Sequence, residues 1–181
     1  MDVLEKLLVD LHSSVESEDG KIDPVSLIAN IEAVALGELE PSDLEYVSSL
    51  LFESSSPPCL VQFLSDASRT KDREIIKAKV HGLKFMSVFI KLMGGSVEPF
   101  AVKVFQSLLN LFKNEESGET KAALMLPSKN ILLRLARVGK ICVPIFRYTM
   151  SKKSIRVMTE IAHWLWMSKL RIPFLVRKVA F

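Results

Sequence analysis

Leucine and valine recur at three- and four-residue steps from the start of this chain. Val3, Leu4, Leu7, Leu8 and Leu11 share one helical face, which predicts a first amphipathic helix. The periodicity is lost in "ESEDGKID" (Glu16 to Asp23), a polar, glycine-containing linker. Asp23 then stands before Pro24, an acidic N-cap followed by proline at the first helical position, so a second helix starts there. "GELEPSD" ends it. A third helix is expected from about Ser42 to Glu53, and "SSSPP" (Ser54 to Pro58) makes a stiff turn before a short helix through Phe63.

From Lys71 onward the polar positions narrow to a seam. In the helix that ends at "LMGG" they are Lys77, His81, Lys84, Ser87 and Lys91, at steps of 4, 3, 3 and 4. Leu83, Phe85, Met86, Val88, Phe89, Ile90 and Leu92 occupy the rest of the circumference. Such a helix has to be packed on two or three sides, and Gly94 and Gly95 supply its stop. A helix from about Val97 to Lys113 repeats the design, with Lys103, Gln106, Asn110 and Lys113 as its polar line. Pro127 is expected to divide a short helix, Lys121–Leu126, from another whose line is Asn130, Arg134, Arg137 and Lys140. After Pro144, Lys152, Arg156, Glu160 and His163 mark one more.

The lines begin near 77, 103, 130 and 152, one helix plus a connection apart. Helices that bury most of their circumference suit a stacked array of antiparallel helices better than a four-helix bundle, whose polar faces are wider. No strand-like alternation exceeds four residues, so the expected class is all-α.

In "IIKAKVHGLKFMSVFIKLMGG", "VEPFAVKVFQSLLNLFKN" and "LPSKNILLRLARVGK" the chain resembles the armadillo/HEAT class of helical repeats. The resemblance covers about residues 24–170 and lies in periodicity, not in a signature residue. It implies an α-solenoid that binds macromolecules along one face. Residues 1–22 then read as an amphipathic helix with an acidic linker, and 23–181 as the repeat domain. A solenoid normally closes with a polar capping repeat, whereas this chain closes with "FLVRKVAF". Either a last helix folds back, or the chain is a fragment or isoform of a longer array.

Composition agrees with a packed helical domain: 181 residues, 49% of them apolar, and only 7 glycines. The net charge of +3 hides a gradient. Residues 1–66 carry 2 Lys/Arg against 14 Asp/Glu, residues 67–117 carry 9 against 5, and residues 118–181 carry 13 against 2. The two ends either neutralise each other in the fold or in a longer parent, or they meet charged partners. The two cysteines, Cys59 and Cys142, sit in apolar surroundings and read as buried free thiols of a reducing compartment. With an acid at position 2, no secretory signal is read, and an intracellular location is expected.

Catalytic chemistry finds little support. No phosphate-binding glycine loop or G-x-S-x-G elbow is present. Glu160 and His163 have i, i+3 spacing, but a di-iron site needs a second such pair and two more inward glutamates. No cofactor, metal or enzymatic activity is expected. "LEKLL" (Leu4 to Leu8) fits a groove-binding helix face, though a core face explains it as well; "SKKSIR" and Ser56–Pro57 sit in loop contexts where phosphorylation could act. The terminal Trp164 and Trp166 lie about 200° apart on a helix, and Pro173 breaks it, so packing explains them better than a membrane surface.

What stays is the basic lines. They are the ordinary solvated edge of each helix, or, if like helices stack about 9–10 Å apart, a groove. The groove would be formed by Lys77, Lys84, Lys91, Arg134, Arg137, Lys140, Lys152 and Arg156. The favoured reading is a non-enzymatic scaffold whose groove takes a protein partner with an acidic segment. The alternative is a nucleic-acid-binding domain using the basic half, although no nucleic-acid-binding motif is found.

Overall fold

A computed structural model describes residues 2–17, 22–40 and 42–138. Among the described residues there are seven α-helices and no strand: α1 Asp2–Glu16, α2 Pro24–Gly37, α3 Leu44–Phe52, α4 Leu60–Asp66, α5 Arg73–Met93, α6 Glu98–Asn114 and α7 Gly118–Val138. The protein is all-helical there, as expected.

Local chemistry sets the helix ends. The Asp23 carboxylate accepts from the Val25 N–H at 3.0 Å and from the Ser26 hydroxyl, capping α2 ahead of Pro24. The Ser26 hydrogen bond, helped by backbone N–H groups and Lys77, holds the Asp23 carboxyl below its usual range. Asp72 caps α5 in the same way, accepting from the Glu74 N–H at 2.8 Å. Gly94 ends α5 at φ +58°, a left-handed backbone that a side chain would strain. Pro127 does not end a helix: α7 runs through it from Gly118 to Val138, a correction to the expected division. Leu124, Pro127, Ser128 and Ile131 are all buried, so the turns on both sides of the proline are anchored on the same core. That anchoring offsets the missing backbone hydrogen bond.

Two successions of contact organise these helices. α2 packs on α5 and α5 on α7, while α1 packs on α4 and α4 on α6. The pairs α1–α2 and α6–α7 are also in contact, which ties the two successions together. Gly82 marks a close approach: a Cβ there would lie 3.4 Å from Ile28 Cδ1 of α2 and 3.5 Å from Leu60 Cδ1 of α4. Phe85, Phe89 and Phe105 are buried, as their positions predict, and Phe89 meets the Phe52 ring edge-on at 5.7 Å between centroids. The side chain of Leu132, another expected core position, lies outside the described residues. Val3 is a correction: 58% of it is exposed, while Leu4, Leu8 and Leu11 fill the core from the same helix.

Part of the charge gradient is neutralised inside the fold. Glu53 of the acidic part pairs with Lys103 of α6 at 2.8 Å, and Glu32 of α2 meets His81 of α5 at 3.2 Å. No single described helix is long and apolar enough to cross a membrane.

Candidate interaction surface

The expected groove residues fall on α5, on α7 and beyond. On α5, Lys77, Lys84 and Lys91 are all exposed. Lys77 is engaged at home, its Nζ 2.6 Å from Glu74 Oε1 one turn away. Lys84 and Lys91 form no ion pair with any described residue. On α7, Arg134 is half-buried, and the side chain of Arg137 is not among those described. Lys140, Lys152 and Arg156 lie outside the described residues, as do Cys142, Pro144, Glu160, His163, Trp164, Trp166 and Pro173.

Two polar positions expected to face water face each other instead. Asn130 of α7 donates from Nδ2 to Ser87 Oγ at 2.7 Å and to the Ser87 carbonyl at 3.1 Å, and Ser87 is buried. The polar lines of α5 and α7 therefore meet at a seam. Its direction follows from a second contact: Lys79, eight residues before Ser87, reaches Glu115, three residues before α7 begins. Both contacts read in the same order along the two helices, so α5 and α7 run parallel.

Helix geometry then places the neighbours. Taking Ser87 as the direction of α7, Lys91 and Lys84 stand about 40° and 60° round toward one side, and Val88 about 100°. Buried Lys79 lies about 80° to the other side, toward the core. The lysine side is thus the solvent side. On α7, Leu126 and Arg134 lie one turn before and after Asn130. Lys84 and Lys91 are two turns apart, about 10 Å along the axis, and line the α5 side of the seam.

The open edge of α5 is also wider and less polar than the sequence pattern implies. Val88 is 42% exposed and Leu92 is 54% exposed; both were expected to be covered. Leu126 on α7 is 46% exposed. Neighbouring helices cover α5 on the α2 side, on the α7 side and on the core side, and leave a fourth quadrant centred near Val88 open.

A second feature escaped the sequence reading. Lys79 and Glu115 are fully buried and pair at 2.5 Å. Lys79 Nζ also donates to the Ala67 carbonyl at 3.0 Å, and Glu115 Oε1 accepts the backbone N–H groups of Glu116 and Ser117. The pair ties the turn after α4, helix α5 and the α6–α7 connection to one point. The signal was present: Lys79 lies two residues from Lys77, about 200° round the helix and off the polar line. Cys59 is buried and unpaired, and burial pushes its thiol above the ordinary value of 9.0.

Compared with known proteins, the chain matches no family model and no solved structure. It is similar to the DNA-dependent protein kinase catalytic subunit of Dictyostelium discoideum, with 27% identity over 115 residues. That stretch takes in 63% of this chain and spans 3% of the length of the kinase subunit.

Proposed function

We propose that this chain is a non-catalytic helical-repeat scaffold, and that the α5–α7 seam holds an acidic segment of a protein partner. The observation that carries it is the seam itself, two parallel helices meeting at Ser87 and Asn130 with Lys84 and Lys91, which pair with no described residue, on the solvent side. The repeat reading draws on the order of helices along the chain: α1 with α2, α3–α4 with α5, and α6 with α7 are taken as three successive helix pairs. Their second helices begin at residues 24, 73 and 118, so they recur at 49 and 45 residues, close to the roughly 40–47 of HEAT and armadillo repeats. The likeness to a small part of a much longer kinase subunit is compatible with a helical piece that does no chemistry of its own.

An acidic segment suits the seam because ammonium and guanidinium groups supply only donors and positive charge. The test is fluorescence anisotropy with a labelled 20-residue peptide rich in glutamate. The wild-type chain is expected to bind it, and Lys84→Glu with Lys91→Glu to weaken binding at least tenfold, with helical circular dichroism and melting unchanged. Unaltered affinity in the double variant would contradict the proposal.

The second reading, nucleic-acid binding, is favoured by the 13 basic residues against 2 acidic ones from residue 118 onward. It requires affinity for a duplex that falls by orders of magnitude between ~50 and ~200 mM salt.

A further inference from the structure

We infer that the segment seated on this surface is an amphipathic helix, with its aliphatic side chains on Val88 and Leu92 of the open α5 edge and its acidic side chains on Lys84 and Lys91. This rests on the scaffold reading above and adds the chemistry of recognition to it. The starting observation is that Val88 and Leu92, on the open edge of α5 beside the seam, stand open to water although α5 and α7 are otherwise well packed. Lone exposed valines and leucines are ordinary. These two are not scattered: Lys84, Val88 and Lys91 follow one another at steps of four and three along the open edge of α5, with Leu92 beside Lys91. Alternate three- and four-residue spacing is the spacing at which a second helix lays its own side chains.

Charge selects the occupant. Lysines that flank an aliphatic ridge are the complement of a helix with leucine along one line and glutamate beside it. The chain's own remaining length is a poor occupant, because residues 139–181 carry nine Lys/Arg against one acid. Their approach to Lys84 and Lys91 would set like charges together. A polyanion without apolar groups would satisfy the lysines and leave Val88 and Leu92 wet.

The experiment compares three labelled probes on the full chain at ~150 mM salt: a 21-residue heptad peptide of leucine and glutamate, a polyglutamate of the same length, and a single-stranded DNA 21-mer. The heptad peptide is expected to bind at least tenfold more tightly than either polyanion and to gain helical signal on binding. Val88→Ser with Leu92→Ser should cost it at least fivefold and leave polyglutamate binding unchanged; both positions are exposed, and an unaltered melt confirms folding. Equal affinity for polyglutamate and the heptad peptide overturns this inference while leaving the basic seam intact as an acidic-segment site. Tighter binding of DNA, or no binding of any probe, overturns this inference and the scaffold proposal together.

Discussion

Cys59 shows how a single side chain reports the packing around it. It sits at the N-cap of α4, where the backbone N–H groups of Val61 and Gln62 favour its thiolate, yet burial dominates and raises the thiol. A group whose folded-state value lies above its unfolded one holds the proton more tightly when folded. Its contribution to stability is fully present below the unfolded value near 9.0 and is lost as pH rises through the folded value. Iodoacetamide at pH 8, followed by mass spectrometry of the Cys59 peptide, should label the folded chain much more slowly than the urea-unfolded chain. Equal rates would mean the α4 terminus is open. The thiol's burial was readable from its setting, "PPCLV", because a cysteine among apolar residues at a helix start has few routes to water. Lys79 stands off the polar line, but the partner that accompanies its burial, Glu115, is 36 residues away and leaves no local mark.

Between elements, the Lys79–Glu115 pair carries the most consequence. Two charges taken out of water are costly, and they persist here because each has further partners: the Ala67 carbonyl for the ammonium, and the Glu116 and Ser117 N–H groups for the carboxylate. Removing one partner strands the other. Glu115→Gln, which can keep the backbone hydrogen bonds, should cost about 3–5 kcal/mol in urea unfolding. Lys79→Met combined with Glu115→Gln should recover most of that loss. Additive losses in the double variant would show that the two side chains do not act as a pair.

Among the described residues, helix existence and most boundaries were legible, since caps such as Asp23–Pro24 and the Gly94 stop are local chemistry. Pro127 was misread because a proline is a local penalty and the packing that overrides it is not local. The exposure of Val88 and Leu92 was hidden for the same reason: which quadrant of an apolar helix stays open depends on where its neighbours lie.

At the scale of the whole molecule, the described helices form one core with acids concentrated on the first part and lysines gathered along α5 and α7. Ion pairs such as Glu53–Lys103 consume some of that charge within the fold, and Lys84 and Lys91 pair with no described residue. The account therefore stands on where a partner segment touches. Backbone amide shifts of the isotope-labelled chain, followed by NMR during titration with the leucine–glutamate heptad peptide, locate that contact. Perturbations are expected to cluster on Lys84, Val88, Lys91, Leu92, Leu126 and Asn130. Shifts concentrated on α1 to α3, or none at saturating peptide, would contradict the seam as the binding face.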